Sequence, residues 1–108
     1  MKQLVVIVLN WNGLADTRAL LGTLRLCRTP AGWSPHVLVV DNGSSDGSVA
    51  AIRAEFSEVE LLALPTNLRY AGGNNAGIEH ALAQGADAIM LLNNDTEADP
   101  ALYERLML

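Results

Sequence analysis

Residues 89–96 read IMLLNNDT, an apolar run that ends abruptly in three oxygen-bearing side chains. The uncharged segment 88–92 has the length of a strand and is typical of a parallel strand that is covered on both faces. Asn93, Asn94 and Asp95 follow it without a spacer. Polar groups at the carboxyl end of such a strand lie where open α/β sheets bind ligands. The stretch therefore predicts a ligand site at the end of a buried strand.

Asn94 and Asp95 are candidate metal ligands within this stretch. One carboxylate beside amide carbonyls suits a hard cation such as Mg²⁺ or Mn²⁺, provided that a bound ligand supplies further oxygens. The alternative is an Asn/Asp turn that closes the strand, since this composition is common in turns. The stretch alone leaves both interpretations open.

Three more apolar runs precede this one, and helical patterns separate them. The predicted strands are residues 4–9, 37–40, 59–64 and 88–92, and the predicted helices include residues 14–27 and 100–107. The order βαβαβαβα predicts an α/β fold with a parallel, doubly wound, Rossmann-like sheet and right-handed crossovers. If strand one lies beside strand four, in the order 3-2-1-4, the ends of strands one, two and four surround one crevice.

Composition narrows the class of protein. With 108 residues, 50% of them hydrophobic and 18% charged, the chain should form one ordered globular unit. Its net charge is −5 and its seven basic residues form no run, which argues against nucleic acid as a partner. The single cysteine, Cys27, excludes an internal disulfide. No segment approaches the length of a membrane span, so we expect a soluble, cytoplasmic protein.

The loop after the first strand, Asn10-Trp11-Asn12-Gly13, is a candidate nucleotide site. It lacks the glycine spacing of dinucleotide folds and of phosphate-binding loops, so it indicates neither a nicotinamide enzyme nor an ATPase. Trp11 could stack on a nucleobase, or it could pack over the end of the strand. Asn10 and Asn12 flank it and are assigned to the same site.

Two later loops offer further candidates. Asp41 could accept hydrogen bonds from a base or a ribose, or it could brace the turn that begins at its neighbour Asn42, which we assign to the same site. A glycine and asparagine run is predicted to precede the third helix, where its N–H groups could face a diphosphate with Arg69 as a nearby cation. The alternative is a flexible loop with a solvated arginine. The run consists of Gly72, Gly73, Asn74 and Asn75.

Four stretches, taken in order, resemble the nucleotide-binding half of family-2 glycosyltransferases of the GT-A type. They are VVIVLNWNG (5–13), VVDNGSSDGS (39–48), NLRYAGGNNAGI (67–78) and LLNNDTEADP (91–100). Together they cover nearly the whole chain. The resemblance is nearest to a bacterial branch that includes rhamnosyltransferases for surface polysaccharides.

The resemblance implies a function as well as a fold. Trp11 would stack on the base, Asp41 would bind the nucleoside, and residues 93–95 would hold the metal and the diphosphate. The implied donor is a nucleotide-diphosphate sugar, with rhamnose as a candidate, and the acceptor is a saccharide or a lipid-linked saccharide. Transfer would proceed with inversion, and the full enzyme would be cytoplasmic or peripheral to the inner membrane.

The chain departs from the family pattern in two ways. Arg69 stands where the family usually has glycine, so this loop either bends differently or offers an extra cation. The chain also ends soon after Asp95, whereas family members continue. We therefore expect residues 1–108 to be the truncated nucleotide-sugar-binding part, inactive alone, with its catalytic base elsewhere. Glu97, Asp99 and Glu104 follow the metal motif too closely to serve. The competing interpretation is a non-catalytic nucleotide-binding or assembly module of the same fold.

The predicted strand order has a consequence for assembly. It leaves strand 88–92 at an edge, with unpaired backbone groups and neither charge nor proline to protect it. We therefore expect the chain to self-associate through this strand.

Overall fold

The computed structural model describes residues 1–107, in which four strands and four helices alternate. In chain order they are β1 (Lys2–Asn10), α1 (Leu14–Leu24), β2 (Trp33–Asp41), α2 (Ser48–Glu55), β3 (Glu60–Ala63), α3 (Arg69–Ala83), β4 (Ala88–Leu92) and α4 (Leu102–Leu106). Within residues 1–107, none of these helices has the length and apolar character needed to cross a membrane.

The four strands form one parallel sheet in the order β3-β2-β1-β4, which confirms the predicted fold class and strand order. Asn10 at the end of β1 pairs with Asp41 at the end of β2. On the other side of β1, Val8 pairs with Leu92, the last residue of β4. The loops that follow β1, β2 and β4 therefore leave the sheet at the same edge, which we call the carboxyl edge.

The two central strands, β1 and β2, supply the core because their side chains alternate between two covered faces. Val6, Val8 and Val39 are completely buried on the face that also packs Leu20 and Ile52 of α1 and α2. Ile7, Leu38 and Val40 are buried on the opposite face, with Ala81 of α3. The sheet therefore has helices on both sides, as a doubly wound fold requires.

Helix α3 corrects one prediction. It begins at Arg69, so residues 72–75 lie within the helix and do not precede it. The glycines are needed for close packing on the sheet: a Cβ on Gly73 would lie 2.6 Å from Leu9 Cδ1, and one on Gly77 would lie 2.8 Å from Val40 Cγ2. The sequence suggested a loop because glycine is common both in loops and where a helix packs closely on a sheet.

Other differences from the predicted elements are smaller. Helix α1 ends at Leu24, before Cys27, and β2 begins at Trp33, earlier than the predicted strand 37–40. Strand β4 is only partly buried, because an edge strand has a neighbour on one side alone.

Candidate functional site

A cavity of about 280 Å³ opens at the carboxyl edge, between the end of β1, the first turns of α3 and the end of β4. Of the residues predicted from sequence to form a site, five line it: Trp11, Asn74, Asn93, Asn94 and Asp95. Leu9, Tyr70, Leu91 and Leu92 complete the lining. The mixture of apolar walls with a few converging polar groups is typical of a small-molecule site.

Two aromatic side chains present open surface at this cavity. Trp11 is 53% exposed, and Tyr70 is 64% exposed. The Tyr70 hydroxyl donates a long hydrogen bond of 3.4 Å to Asn93 Oδ1. Sequence reasoning missed Tyr70, although an aromatic residue next to Arg69 was a usable signal. Half-exposed rings such as these can contact a flat ligand such as a nucleobase.

A buried chain of hydrogen bonds lies beneath the cavity. Asn10 Nδ2 donates to Asp41 Oδ1 (2.9 Å), and Thr17 Oγ1 donates to Asn10 Oδ1 (2.6 Å). Asn94 Nδ2 in turn donates to Thr17 Oγ1 (3.2 Å). Asn10, Thr17 and Asp41 are almost completely buried, so each polar group needs its partner. The chain of bonds thereby connects β2, β1, α1 and the loop after β4.

Thr17 and Ser44 are members of this network that the sequence analysis missed. Thr17 is a polar residue on the apolar face of α1, between Leu14 and Leu20, and that position was the available signal. Ser44 Oγ accepts hydrogen bonds from the Asn12 amide (2.8 Å) and from Asn10 Nδ2 (3.3 Å). No sequence pattern singles out Ser44.

Asp41 and Asn12 hold the loop that carries Ser44. Asp41 Oδ2 accepts a hydrogen bond from the Ser44 amide (2.9 Å), and Asn12 Oδ1 accepts one from the Ser45 amide (2.8 Å). Asp41 thus takes the bracing role that the sequence left open as an alternative. Its direct contact with a nucleoside stays a prediction, and Asp41 is 1% exposed in this structure.

Asn42 fixes the start of α3. Its Oδ1 accepts a hydrogen bond from the Leu68 amide (2.8 Å), and its Nδ2 donates to the Arg69 carbonyl (3.0 Å). Arg69 has a φ of 65°, in the left-handed region. Glycine adopts this region freely, whereas other L-residues lose roughly 1–2 kcal/mol there. Arg69 therefore keeps the backbone shape that a glycine would take, and its side chain is not among those that line the cavity.

The positions of Gly72, Gly73 and Asn75 change what they can offer to a diphosphate. In an α-helix, only the N–H groups of the N-cap and of the first three helical residues lack a partner within the helix. Arg69 is the first helical residue of α3, so Gly72, Gly73 and Asn75 all lie beyond these positions. Gly73 is also buried against Leu9 and Asn42. The predicted cradle of N–H groups ahead of the helix is therefore wrong in its placement.

The residues after β4 can form part of a metal site. Asp95 is exposed and lines the cavity beside Asn94. No cluster of three or more His, Cys, Asp or Glu residues that could hold a metal ion occurs within residues 1–107. An oxygen donor set with one carboxylate fits Mg²⁺ or Mn²⁺ only if a bound ligand supplies other oxygens, as a diphosphate does.

A second cavity, of about 230 Å³, lies at the opposite edge of the sheet. Its carboxylates are already paired: Glu58 with Arg25, and Glu60 with His80 at 2.9 Å. The hydrogen bond from His80, followed by that from Gln84, holds the pKa of Glu60 below its usual value. With its charged groups satisfied internally, this cavity offers a weaker binding site than the carboxyl edge.

The sheet and its strand order define a doubly wound, Rossmann-like α/β domain with a polar cavity at its carboxyl edge. The chain belongs to Glycosyl transferase family 2, whose family model matches residues 5–108. No curated protein matches it in sequence.

Solved structures share its fold at low sequence identity. TarS of S. aureus, residues 1–349, in complex with UDP-GlcNAc has a TM-score of 0.80 at 22% identity, over 99% of this chain and 30% of that 1–349 chain. The mannosyltransferase PcManGT from Pyrobaculum calidifontis, in complex with GDP-Man and Mn²⁺, has a TM-score of 0.70 at 20% identity, over 91% of this chain and 29% of that one. The chain thus spans about 30% of the length of each of these two solved chains. Neither likeness bears on the rhamnosyltransferase branch, which stays a prediction.

Proposed function

We propose that this chain is the donor-binding part of a glycosyltransferase that transfers a sugar, with rhamnose as a candidate, from a nucleotide-diphosphate sugar to a saccharide hydroxyl. The observation that carries the proposal is the cavity at the carboxyl edge, where Trp11 and residues 93–95 meet in a chain of family 2. The UDP-GlcNAc and GDP-Man in the TarS and PcManGT structures support a donor of this chemical class.

In this proposal the exposed residues contact the donor and the buried ones position them. The base stacks on Trp11, and the diphosphate lies against Asn93, Asn94 and Asp95. A divalent cation at Asn94 and Asp95 would neutralise the leaving diphosphate. Asn10, Asp41 and Asn42 are buried and act by holding the loops that carry these groups.

The general base for an inverting transfer is proposed to lie outside residues 1–108. Of the three carboxylates that follow Asp95, two have structural partners. Asp99 Oδ1 accepts a hydrogen bond from the Ala101 amide (2.8 Å), and Glu104 pairs with Arg28 at 2.6 Å. A base must be free to take a proton from the acceptor hydroxyl, so these side chains are poorly placed for the role.

Calorimetric titration of the chain with UDP-sugars, GDP-sugars and dTDP-sugars, with Mn²⁺ and with chelator, tests the proposal. We expect weak binding of at least one nucleotide class, strengthened by Mn²⁺, because the chain has a net charge of −5 and the diphosphate is an anion. No binding by any of them would refute the proposed function. Equal affinity in Mn²⁺ and chelator would remove the metal from it.

A further inference from the structure

The hydrogen bonds beneath the cavity run in one direction, and Asp41 sets that direction. A carboxylate can only accept hydrogen bonds, so Asn10 must turn its Nδ2 toward Asp41 Oδ1, at 2.9 Å. The other end of the same amide, Oδ1, then faces Thr17 Oγ1 at 2.6 Å. Because Asn10 Oδ1 is an acceptor, the single hydroxyl proton of Thr17 must point at it.

The same count of hydrogen-bond donors and acceptors fixes the orientation of the Asn94 side-chain amide. With its proton used on Asn10, Thr17 Oγ1 can only accept, and it accepts from Asn94 Nδ2 at 3.2 Å. The other atom of this amide, Asn94 Oδ1, takes no part in this chain of bonds. Asn94 also lines the cavity beside Asp95. An amide oxygen is a ligand for a hard cation, whereas an amide nitrogen is not.

We infer that Thr17 is a positioning residue: it connects the carboxylate of Asp41 to Asn94 and holds Asn94 Oδ1 in the orientation that a divalent cation requires. The inference rests on the proposed function, since it concerns the same site. Thr17 is fully buried and contacts no ligand itself. Through Thr17, the acceptor oxygens of Asp41 at the end of β2 determine which atom of the Asn94 amide, after β4, faces away from the network.

Gly13 provides the space in which Asn94 adopts this orientation. A Cβ at position 13 would lie 2.7 Å from Asn94 Nδ2 and 3.5 Å from Asn10 Oδ1. The φ of Gly13 is −124°, which an alanine tolerates. Gly13→Ala therefore displaces the Asn94 amide without removing any hydrogen-bonding group.

The test is the Mn²⁺ affinity of the chain in the presence of saturating uridine or guanosine diphosphate, measured by calorimetry. We expect Thr17→Val to lower it about tenfold, the lower end of what the loss of a partner behind a metal ligand costs. Thr17→Ser keeps the hydroxyl and should restore most of the affinity. Nucleotide affinity in chelator should change less than Mn²⁺ affinity, which separates positioning from a general loss of structure.

Thr23→Val is the matched control. Thr23 lies on the same helix, donates to the Leu20 carbonyl (2.7 Å) and accepts from the Ala98 amide (2.9 Å) in the same loop as Asn94. Its loss removes a comparable pair of bonds away from the cavity, so Mn²⁺ affinity should stay at the wild-type value. An equal loss in Thr23→Val and Thr17→Val would overturn the inference.

A folded Thr17→Val chain with wild-type Mn²⁺ affinity would also overturn it. If Thr17→Val does not fold, Gly13→Ala tests the inference instead. A loss of Mn²⁺ affinity in Gly13→Ala supports the proposed orientation of Asn94, and an unchanged affinity refutes it. The two proposals fail in different ways. If the wild-type chain binds no nucleotide, both the proposed function and the role of Thr17 are refuted. If all variants bind nucleotide and Mn²⁺ as the wild type does, only the role of Thr17 is refuted.

Discussion

Trp11 and Trp33 lie at opposite edges of the sheet, which makes them a matched pair for locating the base. Trp33 begins β2 opposite Lys2, whose Nζ is 5.6 Å from the centre of its ring. Trp11 lines the cavity at the carboxyl edge. Trp11→Ala should weaken nucleotide binding by about 1–3 kcal/mol, the value of one stacked base, and Trp33→Ala should weaken it less.

Calorimetry of both variants with the same nucleoside diphosphate measures this difference, and Trp11 fluorescence in the Trp33→Phe chain provides a second readout. If Trp33→Ala is the more harmful substitution, the base has been assigned to the wrong edge.

At the scale of single residues, the side chains that line the cavity were easier to predict than the hydrogen bonds beneath it. Trp11 and Asn93 stand directly after strands, and strand ends meet at one edge once the order is known. The buried bonds of Thr17 and Asn42 depend on which loops meet in three dimensions, and spacing in the sequence does not reveal that. Tertiary packing therefore decides the roles that the sequence left open.

At the scale of elements, β4 is an edge strand with one hydrogen-bonding side unpaired within residues 1–107. Leu91 is 45% exposed there, whereas Met90 packs against the core. Such an edge pairs readily with another chain. We predict concentration-dependent self-association by light scattering, which Leu91→Lys should reduce because a charge on an edge strand opposes pairing.

Leu91→Lys is a better probe than Met90→Lys, because a lysine at position 90 would also disturb the core. A wild-type chain that stays monomeric at high concentration would contradict this prediction.

Helix α4 docks through Tyr103, which is 3% exposed. Burial, and then the nearby Cys27, raise the pKa of Tyr103 from 10 to about 12. The unfolded chain therefore loses this proton at lower pH than the folded chain. This difference in pKa contributes up to about 3 kcal/mol to the free energy of unfolding. The contribution is complete below pH 10 and is lost as the pH rises toward 12.

Urea unfolding across this alkaline range measures the loss. The Tyr103→Phe chain should lack it, and both chains should carry Cys27→Ala, so that the thiol does not contribute. The same alkaline loss of stability in both chains would show that Tyr103 is not its source.

The alternation of strands and helices was readable from the sequence because apolar runs and helical periodicity are local properties. The start of α3 was not readable from the sequence. Gly72 and Gly73 signal a loop by composition, but here Gly73 lets the helix approach Leu9 and Asn42. That approach is a property of packing between elements, so it became visible only in the folded chain.

At the scale of the whole molecule, the central claim is that nucleotide and metal bind at the carboxyl edge and not in the cavity at the opposite edge. The two cavities are similar in volume, about 280 and 230 Å³, so size alone does not decide between them. The difference lies in the side-chain oxygens of Asn94 and Asp95, against carboxylates at the other edge that already have basic partners.

Paramagnetic broadening of backbone amide NMR signals by Mn²⁺, in the presence of a nucleoside diphosphate, separates the two edges most directly. Our account predicts that the signals of Asn93, Asn94 and Asp95 broaden first, with those of Trp11 and Tyr70 next. The signals of His36 and Glu60, which line the cavity at the opposite edge, should stay sharp. Broadening centred on His36 and Glu60, with sharp signals for residues 93–95, would contradict it.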